Sequence, residues 1–268
     1  MMFAGKCAKR AVLGVAGLVL AGSVTTVYAA PLLAVTFDPG SFAAGNPQFT
    51  ADKLNLLDYA RVTATGPAPG GNTSFVESGF LQVNNVSLQN NTINPSGNRT
   101  AYSLYFSFSS TGIQNGSSFN VSSLGTFSSL HFTLFGANDA TAFGIDGSNN
   151  PFATNIVGST VTDLARGDLI AGTTTFSANP IGAGANLSAS FVKDLAGFVL
   201  SPANATLTLQ GAFNNDANIV SVINGGSAFT LNGGGGDVTF NVVPEPASFA
   251  LLGVALLGAG FVRSRRSR

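Results

Sequence analysis

The stretch Ala101–Ser109, A-Y-S-L-Y-F-S-F-S, decides the fold class. Tyr102, Leu104, Phe106 and Phe108 alternate with Ser103, Tyr105, Ser107 and Ser109, a period of two that sends one set into a core and leaves the other mostly wet. The rhythm returns at Ser129–Phe135, where Leu130, Phe132 and Leu134 oppose His131 and Thr133. It returns again at Ala203–Gln210, with Ala205, Leu207 and Leu209 opposed to Thr206, Thr208 and Gln210, and at Asp237–Val243, which groups Val238, Phe240 and Val242. Weaker runs lie at 32–37, 58–64, 79–88, 155–161, 168–172, 188–192, 197–200, 219–223 and 228–231. Short strands at this spacing predict an all-β body, an antiparallel β-sandwich or jelly roll.

Turn chemistry divides the strands. Gly66–Asn72 (G-P-A-P-G-G-N), Asn94–Asn98, Asp146–Pro151 and the run Gly233–Gly236 read as turns or loops, and a short helical turn is expected near 51–57. No fixed-period repeat is visible, so the sequence gives no support to a solenoid or propeller. Hydrophobic residues make up 45% of the chain and charged ones only 9%, a composition that excludes disorder.

Both ends read as targeting segments. Lys6, Lys9 and Arg10 precede an apolar run over 11–21, and small residues follow to Val27-Tyr28-Ala29. That is the layout of a secretory signal peptide over 1–29, with cleavage expected between Ala29 and Ala30. The other end reads Val243-Pro244-Glu245-Pro246, then an uncharged stretch over 247–262, then Arg263, Arg265, Arg266 and Arg268. The prolines bar the linker from a helix or central strand. The apolar stretch predicts one short transmembrane helix, and the arginines predict a stop-transfer signal that keeps that end in the cytoplasm. The β-rich extracytoplasmic domain is therefore expected over 30–242, and the sorting segment over 243–268.

The order V-P-E-P, apolar helix, arginine cluster resembles the PEP-CTERM sorting signal of exopolysaccharide-producing Gram-negative bacteria. The resemblance implies export through the inner membrane, transient anchoring there, cutting by an exosortase-type protease, and a final place at the cell surface or in the extracellular matrix. F-D-P-G at 37–40, A-D-K-L-N-L-L-D-Y at 51–59 and G-D-L-I-A-G-T-T-T-F at 167–176 are similar to the flocculation-associated PepA-like subfamily. That similarity implies a role in aggregating cells with exopolysaccharide.

The body offers little for catalysis. The single cysteine, Cys7, lies in the signal peptide, and the single histidine, His131, falls on the predicted solvent face with no G-x-S-x-G elbow in the chain. Metal sites built on nitrogen or sulfur need more such ligands, so neither metal nor cofactor is expected. Asp139, Asp146, Asp163 and Asp168 lie near strand ends and could supply a carboxylate pair for a polysaccharide hydrolase, the least favoured reading. The D-G-S-N-N run at 146–150 and the glycines before Asp237 miss calcium-loop spacing and read as turns. The eight Asn-x-Ser/Thr sequons read as compositional. Between Ala30 and Val243 five basic side chains stand against eleven acidic ones, a formal charge of −6 that argues against nucleic acid as a partner. The expected function is that of a non-enzymatic surface or matrix protein. The alternative is a carbohydrate-binding module with Tyr59, Tyr102 and Tyr105 against sugar.

Overall fold

The computed structural model describes residues 32–243 except 117, 118, 120, 121, 156, 179, 180, 204, 205, 216, 217 and 224–226. The predicted signal peptide, its cleavage site at Ala29 and Ala30, and the predicted transmembrane helix lie outside the described residues.

The strands are β1 (Val35–Phe37), β2 (Phe49–Ala51), β3 (Lys53–Ala68), β4 (Asn72–Leu88), β5 (Asn91–Ile93), β6 (Ser103–Gln114), β7 (Ser123–Ala137) and β8 (Thr141–Ile145). They continue as β9 (Pro151–Asn155), β10 (Val161–Ala178), β11 (Ile181–Lys193), β12 (Val199–Ser201), β13 (Leu207–Asn214), β14 (Ile219–Ile223) and β15 (Ala228–Val242). The only helical segments among the described residues are two 3-10 turns, Pro39–Ser41 and Pro69–Gly71.

The all-β class is as expected, but the architecture is a closed barrel and not a sandwich or jelly roll. Strands β3, β4, β6, β7, β10, β11, β13 and β15 pair in that order, and β15 pairs both β13 and β3. Every pairing is antiparallel. Neighbours in the wall are thus neighbours in the chain, an up-and-down meander in place of the Greek-key crossovers a jelly roll requires. Closure leaves the wall no free edge. The long members, 16 residues in β3, 17 in β4 and 18 in β10, are what a tilted wall needs to wrap around.

Several expected turns are strand. Gly66 and Pro67 belong to β3, and only Pro69–Gly71 turns back into β4. Proline is tolerated there because β15 pairs β3 no further than Thr63, so the outer edge of Pro67 has no ladder to break. The segment expected to be a helical turn near 51–57 is the end of β2 and the start of β3. The run Gly233–Gly236 is the middle of β15, where that strand exchanges β14 for β13 as its neighbour. Gly233 takes φ +73° at the bulge, and a Cβ on Gly236 would lie 2.2 Å from the Phe213 ring. Glycine is needed here for backbone passage rather than for chain reversal.

Inward alternation fills the barrel. Leu104, Phe106, Leu130, Phe132, Leu134, Leu207, Leu209, Val238 and Phe240 are buried in one cluster. A three-stranded sheet, β12-β1-β2, closes the end of the barrel where β15 finishes, and Phe37 stacks its ring on Phe49 at 5.2 Å and meets Phe198 at 5.4 Å and Phe240 at 5.7 Å. A second cluster near the opposite end holds Phe75, Phe119, Phe176 and Phe229. Outside the wall, the hairpin β8–β9 lays Phe143 against Tyr59, Phe80 and Tyr105 with ring centroids 5.2–6.2 Å apart.

Candidate functional site

Between the two apolar clusters the barrel encloses a cavity of about 90 Å³. Its wall is mainly apolar, with phenylalanine the commonest residue, and two acids, Asp58 and Glu77, aim inward. Asp58 enters because it shares a face of β3 with Leu54, Leu56, Ala60 and Val62, all buried. Glu77 shares a face of β4 with Thr73, Phe75 and Leu81. It is half-buried, as are Leu81, Phe108, Leu187 and Phe213, and the surface these side chains retain faces the cavity they line.

The polar contacts of the two acids are few. Asn215 Nδ2 donates to Asp58 Oδ2 at 2.9 Å, and Ser110 Oγ donates to Glu77 Oε2 at 3.0 Å. Asp58 Oδ1 and Asn215 Oδ1 are buried without a hydrogen-bond partner. Burial, reinforced by the charge of Glu77 and opposed by the Asn215 bond, pushes the Asp58 carboxyl up to about 8. Burial, opposed by the Ser110 bond, pushes Glu77 up to about 7. Both groups therefore titrate near neutrality, where ordinary carboxyls are fully ionised.

The positions singled out from the sequence lie elsewhere. Asp139, Asp146, Asp163 and Asp168 are all outside the barrel, so the paired acids are a different pair from those expected. Asp146 caps the β8–β9 turn, accepting from Ser148 N at 2.9 Å and Asn150 N at 2.8 Å, and these bonds lower its pKa. Asp163 is exposed on β10, and Asp139 accepts from the neighbouring Ala140 N at 2.7 Å. His131 is on the outer wall as expected and pairs through Nδ1 with Asp168, which sits opposite it on β10. Ser109 stands opposite His131 on β6, so a Ser-His-Asp row crosses three strands, but on an exposed face away from the cavity.

The tyrosines do not form a sugar platform. Tyr102 is fully buried and Tyr105 is 5% exposed, covered by Phe135 and Phe143, in contrast to its expected place on the wet face. Tyr59 is half-buried against Phe143. What the outer wall does offer is a shallow groove across β10, β11, β13 and β15. Ala171, Gly172, Gly211 and Ala212 keep it low, and Thr173, Asn186, Ser188, Gln210, Asp237 and Thr239 give it hydroxyl, amide and carboxylate groups.

Of the predicted sorting residues, Val243 is described: its N–H donates to Thr206 O at 2.9 Å, at the end of β15. Pro244, Glu245, Pro246, Arg263, Arg265, Arg266 and Arg268 lie outside the described residues. Residues 242–266 match the family model described as the PEP-CTERM protein-sorting motif. No curated protein and no solved structure matches the chain. The motif marks an exported protein addressed to an exosortase-type processing protease, with a transient membrane anchor at its carboxyl end.

Proposed function

We propose that this barrel is a non-enzymatic protein of the cell surface or extracellular matrix, delivered by its sorting motif, that promotes cell aggregation together with exopolysaccharide. The observation that carries the reading is the junction at Val242. The strand that closes the barrel ends there, and the sorting motif begins there, so the segment delivered outward is the closed barrel. Its acidic, hydroxyl-rich wall is suited to a hydrated sugar polymer. The groove lined by Thr173, Asn186, Ser188 and Gln210 supplies hydrogen-bonding groups along several strands at a spacing of about 4.8 Å between neighbours. Similarity of the segments at 37–40, 51–59 and 167–176 to the PepA-like subfamily supports the same role. The Ser109-His131-Asp168 row favours no hydrolase, since it stands on the exposed outer face of the wall, away from the cavity.

Deletion of Pro244–Arg268 tests the reading. Cells carrying the truncated chain are expected to release the barrel into the medium and to lose aggregation in a settling assay. Normal settling by such cells would reject the proposed role.

A further inference from the structure

We infer that the barrel interior is a binding site for a compact organic ammonium ion, its apolar body against the phenylalanines and its charged head held by Asp58 and Asn215, with Glu77 as a second acid four residues further along the wall. The inference is independent of the aggregation role. Four features of the cavity converge on this class of ligand.

The first is room. A barrel of eight strands is just wide enough to be filled by side chains or to hold one small ligand. Here the middle is not filled, and about 90 Å³ remains between the ring cluster at one end and the capped core at the other. The second is unmet hydrogen bonding. Asp58 and Asn215 are each 3% exposed, and each keeps one oxygen without a donor. A buried acceptor left unsatisfied costs roughly 1–3 kcal/mol. A ligand carrying several N–H donors removes that cost, whereas a hydrocarbon leaves it in place.

The third feature is charge. Asp58 and Glu77 are the only titratable side chains among the described residues lining the cavity, and no lysine, arginine or histidine faces them there. An anion would meet two acids and no counter-charge, while a cation supplies the partner a buried carboxylate lacks. The fourth is the lining. Phe75, Phe106, Phe108, Phe127 and Phe213 present rings to the same space, and aromatic faces attract an ammonium group. A bare metal ion fits poorly, since calcium takes six to eight oxygen ligands and most of this wall is hydrocarbon.

Binding is linked to protons. An incoming ammonium ion favours the ionised carboxyls, so protons held by Asp58 on β3 and Glu77 on β4 in the empty barrel leave as it enters. Affinity therefore rises between pH 5 and pH 8.

Calorimetric titration of the purified full chain with propylamine, 1-propanol, propanoate and calcium chloride at pH 7.5 tests this, the organic probes being small enough for a cavity of about 90 Å³. Propylamine is expected to bind at least about tenfold more tightly than 1-propanol, with a heat that changes with the ionisation enthalpy of the buffer because protons are released. Asp58→Asn should erase that preference. Glu77→Gln, which leaves the Asp58–Asn215 contact in place, should reduce it, and it gives a second reading if Asp58→Asn fails to fold. Equal binding of amine and alcohol overturns the proposal, as does tighter binding of propanoate or calcium. Absence of heat with all four compounds also overturns it, and the interior is then a water-filled void.

Discussion

Asp58 sits in phase with Leu54, Leu56, Ala60 and Val62, so the alternation that buries those four side chains buries a carboxyl with them. That phase is visible in K-L-N-L-L-D-Y-A-R-V, and it is the signal by which Asp58 can be found from sequence. Glu77 is harder to find, because its neighbours on the same face, Phe75, Gly79 and Leu81, include a glycine that blurs the pattern. Burial of the acid has a consequence for stability. Between the ordinary carboxyl value of 3.8 and about 8, the folded chain retains an Asp58 proton that the unfolded chain has lost. Stability is therefore greatest below that window and falls as pH rises through it. Thermal unfolding of wild type and Asp58→Asn at pH 5 and pH 8, followed by circular dichroism, should show a smaller drop in the variant. The difference is expected to be about 3–4 kcal/mol, and each kcal/mol is worth about 2–4 °C in Tm for a domain of this size. An equal drop in both proteins would mean that Asp58 is not protonated in the fold.

Among the elements, the β8–β9 hairpin shows how a strand pair outside the barrel wall is held. Its turn is closed by Asp146, and Arg61 Nη1 donates to Asn150 Oδ1 at 2.8 Å. Its grip on the wall is the Phe143 ring among Tyr59, Phe80 and Tyr105. Aromatic pairs of this kind contribute roughly 0.5–1.5 kcal/mol each beyond area burial. Phe143→Ala should therefore loosen the hairpin and leave the barrel folded. Hydrogen exchange of the amides over 141–155 is expected to quicken by about tenfold or more while those of β6 and β7 stay protected. Uniform quickening across the barrel would show the hairpin to be integral to it. The D-G-S-N-N turn was legible because Asp and Asn bond their own backbone within five residues. The wet face assigned to Tyr105 was not, because the element that covers it lies about forty residues further on and nothing in A-Y-S-L-Y-F-S-F-S refers to it.

For the molecule as a whole, the decisive contact is the return of β15 to β3 and β13. Phe240 on β15 is fully buried and joins the capping sheet to the barrel through Phe37 at 5.7 Å and to β11 through Phe191 at 5.3 Å. Phe240→Ala is expected to cost about 3–5 kcal/mol, enough to lower the denaturant midpoint in a single cooperative transition seen by both circular dichroism and tyrosine fluorescence. Two separated transitions would mean that cap and barrel unfold independently. Strand character, the alternation along each strand, the D-G-S-N-N turn and the sorting motif are local properties, spelled out within a dozen or so neighbouring positions, and the sequence alone determined them. Closure of the sheet into a barrel depends on strand tilt and stagger summed around the whole wall, which no local alternation specifies. The same holds for the interior site, where Asp58 meets Asn215 across 157 positions of chain. Only the tertiary structure decided that meeting, because it requires the last strand to find the first.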